Sequence, residues 1–155
     1  SQIVKTNKNL KIHMVGKLQS NKAKKAINIF NFIHSLDNLK LADVCKKSED
    51  ELNKKISYFI QVNIGNESQK SGVLMKDVKS FLKYCSVENK LNIIGLMVLP
   101  PNDSNTEKYF EDISKLNSEL GLKDLSMGMS ADYKIAAKHK STYLRIGSAI
   151  LGPRT

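Results

Sequence analysis

Two short turns near the end of the sequence carry the residue types of an anion-binding site. The first is Gly128-Met129-Ser130 and the second is Gly147-Ser148, and each follows a short apolar run. Glycine lets a ligand approach the backbone closely, and the first N–H groups of a helix are free to face an anion. Two such turns on neighbouring parallel strands can hold one phosphate group. We therefore predict a phosphate cup here, supported by the chain before it as a barrel.

Three further polar residues lie where they could reach a ligand. Arg145 lies inside the apolar run Thr142–Ile146, and it is one of only two arginines in a lysine-rich chain. His13 is in a short alternating run, where it either points inward to a ligand or is a hydrogen-bonded core histidine; the same alternatives apply to His34. Asn63 ends a strand-like run, where a role near a ligand and a simple strand-end cap are both open.

The remainder of the sequence alternates between strand-like and helix-like segments. This alternation predicts a parallel sheet with crossover helices in one domain, residues 1–155. The pattern alone does not separate an open doubly wound sheet from a (β/α)₈ barrel that lacks two β/α units. The predicted strands are Leu10–Val15, Phe32–Leu36, Ile56–Ile64, Leu91–Leu99, Leu125–Met127 and Thr142–Ile146. The predicted helices are Ala23–Phe30 with Ser20 as its N-cap, the segment that Asp37 caps, Lys76–Cys85, Asn105–Leu120 with Gly121 as its C-cap, and Ser130–His139.

Composition limits the possible classes of protein. The 155 residues are 41% hydrophobic and carry a formal net charge of +10, yet the lysines are spread along the chain rather than clustered with aromatic residues. We therefore expect solvated lysines and neither a nucleic-acid nor a membrane partner, with a basic nucleic-acid-binding module as the minor alternative. No apolar run approaches the length of a membrane span and no signal peptide is evident. Cys45 and Cys85 are isolated, which predicts buried, reduced thiols, no metal site and a cytoplasmic protein.

Six motifs in order resemble one family, the pyridoxal-phosphate homeostasis proteins of the YggS/PROSC type. That family has the (β/α)₈ TIM-barrel fold of the alanine racemase N-terminal domain. The resemblance implies eight strands, with strands three to eight present here and the first two β/α units missing. The motifs are IHMVGKLQSNK at 12–22, HSLDNL at 34–39, QVNIGNESQKSG at 61–72, GLMVLP at 95–100, LSMGMSAD at 125–132 and STYLRIGSAILGPR at 141–154.

The resemblance assigns a cofactor, pyridoxal 5'-phosphate, and residues that bind it. Ser130, Gly147 and Ser148 would hold the phosphate with Met129 beside it, in agreement with the cup predicted above. Arg145 would face the pyridine nitrogen. A guanidinium cannot accept a proton, so it keeps that nitrogen unprotonated and the ring a weaker electron sink. His13 and Asn63 complete the predicted cofactor site.

One departure from the family concerns the Schiff-base lysine at the end of its first strand. No residue here matches it, so we expect it in the missing N-terminal segment; Lys70 is a weak substitute because its loop is hydrophilic. The implied function is cofactor carriage or buffering without turnover, with pyridoxal-phosphate-dependent apo-enzymes as candidate partners. The alternative is an amino-acid racemase, with Tyr133 or a cysteine as its second base. We expect a monomer for the intact family form and an oligomer for a fragment with unpaired strand edges.

Overall fold

A computed structural model describes residues 10–65, 67, 70–101 and 103–152. These residues form one parallel sheet, and a helix separates each pair of successive strands except the third and the fourth. The strands are β1 (His13–Met14), β2 (Phe32–Leu36), β3 (Ser57–Asn63), β4 (Val73–Leu74), β5 (Asn92–Val98), β6 (Asp124–Met129) and β7 (Tyr143–Arg145). The α-helices are α1 (Ala23–Ile29), α2 (Leu39–Leu52), α3 (Val78–Lys83), α4 (Thr106–Glu119), α5 (Tyr133–Lys138) and α6 (Ser148–Leu151).

The order of the strands excludes the doubly wound alternative. The main path runs β1-β2-β3-β5-β6-β7, and every pairing along it is parallel. A doubly wound sheet reverses its strand order at a switch point, whereas barrel strands follow the chain. The fold is therefore an α/β half-barrel with six parallel strands on its main path, and β4 is a short extra strand on β3.

The sheet is strongly curved. β1 and β7 lie at opposite ends of the strand order, yet the ring centroids of His13 and Tyr143 are 5.4 Å apart. His34 on β2 also reaches Ser126 on β6, with 2.8 Å between Nδ1 and Oγ. Side chains from both ends of the sheet thus meet on its concave face, and this meeting point is where the polar residues gather.

The main core lies between the sheet and the helices. Tyr58, Ile60 and Leu96 are fully buried there with Phe110. A buried carboxylate, Glu49 of α2, ties this layer to the start of β3. It accepts hydrogen bonds from the Ile56 N–H (3.1 Å), the Tyr58 hydroxyl (3.2 Å) and the Lys55 ammonium (2.8 Å).

Several local predictions need correction. Asn38, not Asp37, caps α2, because its Oδ1 accepts the N–H of Leu41 at 2.9 Å. The helix predicted at 76–85 is a 3₁₀ turn, the short α3 and a π-helical turn that ends at Glu88. β4 was not predicted, since two residues after a polar loop give no strand periodicity. Helix α1 begins without the side-chain cap predicted from Ser20.

Candidate functional site

A cleft of about 460 Å³ opens on the concave face at the carboxyl ends of the strands. In parallel α/β folds this end of the sheet is where ligands bind. Polar and aromatic side chains from β1, β2 and β7 form its wall, and the turn after β7 forms its rim. The lining residues are His13, Val15, His34, Tyr143, Leu144, Arg145, Ile146 and Gly147.

The guanidinium of Arg145 is held rigidly in this wall. Nη1 donates to the backbone oxygen (2.9 Å) and the Oγ (2.8 Å) of Ser126, and Nη2 donates to the backbone oxygen of Val98 at 2.7 Å. Nε is buried and has no hydrogen-bond partner among the described residues. Burial lowers the pKa of Arg145 to about 10, against a smaller opposing effect of Asp132. The group therefore remains cationic at neutral pH, and the Nε–H is one of two N–H groups that these three bonds leave unused.

Two histidines connect this arginine to the opposite end of the sheet. His13 Nδ1 lies 2.9 Å from His34 Nε2, and His34 Nδ1 lies 2.8 Å from Ser126 Oγ. Aromatic rings fix both imidazoles: His13 stacks on Phe32 at 4.2 Å and His34 stacks on Phe59 at 4.3 Å, measured between centroids. Burial is the largest cause that lowers the pKa of His34 to about 3, with His13 and Arg145 adding to it.

The two predicted turns meet at the rim of the cleft. The hydroxyl of Ser130, after β6, accepts the N–H groups of Gly147 and Ala149, each at 3.2 Å. A hydroxyl is a neutral acceptor, and these contacts are at the long end of the normal range. An anionic oxygen in the same place would make shorter and stronger bonds to the same donors. The structure thus places together the two turns that the sequence predicted as a cup.

The other predicted site residues lie at different positions relative to the cleft. Ser148 begins α6 beside Gly147, and Met129 is 46% exposed at the end of β6. Asn63 does not line the cleft: its amide donates to the backbone oxygens of Glu67 (2.8 Å) and Lys70 (3.4 Å), and its Oδ1 accepts the N–H of Glu67 at 3.2 Å. Of the two alternatives for Asn63, the observed contacts match the strand-end cap.

Two residues of the site were missed from the sequence. Tyr143 lines the cleft, and Ser126 joins Arg145 to His34. Both could have been found from strand periodicity, because alternate strand residues share a face. Tyr143 is two positions before Arg145, and Ser126 is a lone polar residue in the apolar run of β6.

Lysines and cysteines do not contribute to this wall. Within the described part of the chain no lysine lines the cleft, and Lys70 pairs with Glu67 at 2.8 Å. Cys45 and Cys85 are fully buried in the helix–sheet layer, where burial raises the pKa of each thiol to about 12. Among the described residues, no group of three or more His, Cys, Asp or Glu side chains is arranged to hold a metal ion.

Comparison with known proteins places the chain in a family. Residues 2–155 match the family model described as the alanine racemase N-terminal domain. The chain belongs to this family. Within the alanine racemase N-terminal domain family, the chain is 35% identical to the pyridoxal phosphate homeostasis protein of Aquifex aeolicus over 154 residues, which are 94% of this chain and 68% of that protein. The protein of the same name from Synechocystis is 34% identical, over 92% of this chain and 69% of that one. The resemblance to the homeostasis proteins is confirmed.

Solved structures give the same picture. PipY of Synechococcus elongatus without PLP superposes with a TM-score of 0.89 at 32% identity, over 97% of this chain and 75% of PipY. The PLP-bound form of PipY gives a TM-score of 0.88 at 31% identity, over 97% of this chain and 74% of that one. Alanine racemase of Corynebacterium glutamicum, at 13% identity and a TM-score of 0.72, shares the fold over 99% of this chain and 44% of its own length.

Proposed function

We propose that this chain binds pyridoxal 5'-phosphate as a homeostasis protein that carries or buffers the cofactor without turning over a substrate. The observation that carries the proposal is the buried Nε of Arg145, which has no partner among the described residues and belongs to a guanidinium fixed by Ser126 and Val98. A fixed cationic donor fits an acceptor such as an unprotonated pyridine nitrogen. The PLP-bound form of PipY, at 31% identity over nearly the whole chain, supports the same ligand.

The rim of the cleft supports binding of the phosphate. Backbone N–H groups of Gly147 and Ala149 already converge on one oxygen, the hydroxyl of Ser130. In the proposed complex a phosphate oxygen takes these donors, and Ser130 turns to donate its own hydroxyl hydrogen; Ser148 and Met129 lie beside the group. The residues present therefore fit the cofactor at both its phosphate and its ring nitrogen.

Bound pyridoxal phosphate supplies an aldehyde and an electron-withdrawing ring. The residues around it, however, restrain rather than promote chemistry. The cation of Arg145 disfavours protonation of the ring nitrogen, and burial raises the pKa of the Tyr143 phenol, so that it stays protonated and is a poor base. Neither cysteine can serve as a base from the helix–sheet layer. A lysine that joins the cofactor covalently stays a prediction of the family resemblance, as do the eight-stranded barrel, its first two β/α units and any partner enzyme.

Equilibrium dialysis with pyridoxal phosphate tests the proposal, with inorganic phosphate as competitor. We expect saturable, phosphate-sensitive binding that Ser130→Ala weakens about tenfold, because it removes a hydrogen bond to a charged group. Ser118→Ala is the matched control, since Ser118 is exposed and its hydroxyl donates to the backbone oxygen of Ser114 within α4. Equal affinity in both variants without phosphate competition would contradict the proposed cup.

The absence of turnover needs its own assay. The protein loaded with pyridoxal phosphate is incubated with L-alanine and other L-amino acids, and the enantiomers are separated. We expect no racemisation above the level of free cofactor. Measurable racemisation would favour the racemase alternative.

A further inference from the structure

A continuous line of hydrogen bonds crosses the concave face from β7 to β1. It runs from Arg145 Nη1 to Ser126 Oγ (2.8 Å), from Ser126 Oγ to His34 Nδ1 (2.8 Å) and from His34 Nε2 to His13 Nδ1 (2.9 Å). Four side chains from four strands take part, and only Arg145 among them has a role in the binding proposed above. Buried polar side chains are costly unless every donor and acceptor is satisfied.

Satisfying every group determines the direction of this line. Arginine only donates, so Ser126 Oγ accepts from Arg145 and has one hydrogen left to give. His34 Nδ1 is the acceptor for that hydrogen, which places the proton of His34 on Nε2. That N–H then donates to His13 Nδ1, so the hydrogen of His13 is on its Nε2. In the opposite tautomer of His34, the hydroxyl hydrogen of Ser126 has no acceptor among the described residues.

The surroundings of His34 favour this neutral form. The titratable groups that face it are His13 of β1 and the Tyr143 and Arg145 side chains of β7, and none of them is an anion at neutral pH. Protonating His34 would place a second donor against Ser126 and a second cation beside Arg145. The stacked rings of Phe59 and His34 also prevent the imidazole from turning away.

We propose that His34 is a positioning residue for Arg145. Together with Ser126 it holds the guanidinium in place as a donor to the ring nitrogen of the bound cofactor. At the other end of the same line of hydrogen bonds, His13 presents its Nε2–H as a donor at the cleft. This inference rests on the proposed binding of pyridoxal phosphate and adds the residues that make the site select an unprotonated pyridine nitrogen. His34 itself acts through Ser126, since Arg145 is the residue that meets the ring.

NMR of the imidazole nitrogens in the unliganded wild-type protein tests this line of hydrogen bonds without any cofactor. With ¹⁵N-labelled histidine, we expect His34 and His13 as Nε2–H tautomers, and we expect His34 to stay neutral through the range in which an ordinary histidine titrates. A His34 that carries its hydrogen on Nδ1, or that titrates like a free histidine, would overturn the proposal even if pyridoxal phosphate binds.

Binding of two ligands tests the effect on Arg145. The probes are pyridoxal 5'-phosphate and its 1-deaza analogue, in which a carbon replaces the ring nitrogen. We expect Ser126→Ala and His34→Leu to weaken binding of pyridoxal phosphate about fivefold and binding of the analogue by less than about twofold, because only the first ligand uses the fixed donor. Ser35→Ala is the matched control: its hydroxyl is buried on the same strand as His34 and has no partner among the described residues.

The outcomes separate the two claims. If the wild type binds neither ligand, the proposed function fails. If the wild type binds both ligands and the two variants weaken binding of both ligands equally, the proposed phosphate cup is supported, but the proposed positioning of Arg145 by His34 and Ser126 is wrong. Circular dichroism melting of each variant shows whether it is folded, and the NMR measurement on the wild type decides the proposal where His34→Leu does not fold.

Discussion

At the scale of the residue, the polar groups of the cleft wall are neutral or cationic, and one of them, His34, is only 2% exposed. His34 illustrates the consequence for stability. Its pKa falls from 6.5 to about 3 on folding, chiefly because burial penalises the charged imidazolium. Below the unfolded value the unfolded chain therefore binds a proton that the folded chain does not, so acid favours unfolding.

We predict that His34 makes the free energy of unfolding fall as pH drops from about 6.5 towards about 3. The slope from this one group is at most about 1.4 kcal/mol per pH unit. His34→Phe, which keeps an aromatic ring beside Phe59, should flatten the profile across that window. Urea unfolding of both proteins over a pH series measures the difference; an unchanged slope would show that His34 does not titrate as described.

Glu49 carries the second residue-scale prediction. Its carboxylate is 1% exposed and accepts from Ile56, Lys55 and Tyr58. Glu49→Ala leaves these donors without their acceptor and should lower the free energy of unfolding by about 2–4 kcal/mol in urea titrations. Glu51→Ala is the control on the same helix, because its ion pair with Lys24 is exposed and should leave the midpoint unchanged. Similar midpoints for the two variants would contradict the role of Glu49.

At the scale of the element, β5 and β6 approach each other so closely at Gly95 that no side chain fits there. A Cβ on Gly95 would lie 1.9 Å from the backbone oxygen of Asp124 and 3.0 Å from the ring of Phe59, which supports His34. We predict that Gly95→Ala destabilises the protein by about 3 kcal/mol or more, or prevents folding, since neither strand can retreat without losing its pairing. Gly16→Ala has no atom within 4 Å of the new Cβ and should melt like wild type. Equal thermal midpoints would contradict this packing.

Element types could be predicted from the sequence, but their ends could not always be. The long strands Phe32–Leu36 and Ser57–Asn63 follow from β-branched and aromatic runs, and Gly121 ends α4 in the left-handed region as predicted, with φ of +69°. Lys140 also adopts a left-handed φ, +67°. No pattern in the sequence predicts the π-helical turn at Tyr84–Glu88, because this turn depends on tertiary packing rather than on local periodicity.

At the scale of the whole molecule, curvature made the site hard to predict. The two glycine- and serine-bearing turns and Arg145 could be singled out because all of them lie within one stretch, residues 128–148. The pairing of His34 with Ser126 spans 92 positions, and no local pattern indicates that two separate strands will face each other. His13 and His34 were therefore left between a ligand role and a core role. In the structure they are hydrogen-bonded to each other and both line the cleft, and their role toward a ligand stays a prediction.

The helix–sheet layer gives a whole-molecule prediction. Cys45 and Cys85 are fully buried, and the raised pKa of each thiol keeps it protonated at neutral pH. A thiol reagent should label neither cysteine in the native protein and both in urea, because labelling needs the layer to open. Fast labelling of either cysteine in the native protein would mean that this layer opens locally.

Among the described residues no helix is long and apolar enough to cross a membrane.

A crystal structure of the protein with pyridoxal 5'-phosphate tests the central claim most directly. The account predicts the phosphate within hydrogen-bond distance of Ser130 and the Gly147 N–H, and the ring nitrogen facing Nε of Arg145. The lysine-rimmed cleft of Lys17, Lys22 and Lys25, about 580 Å³ in volume, is the competing place for an anion. Cofactor found there, with the concave cleft holding only solvent, would contradict the account.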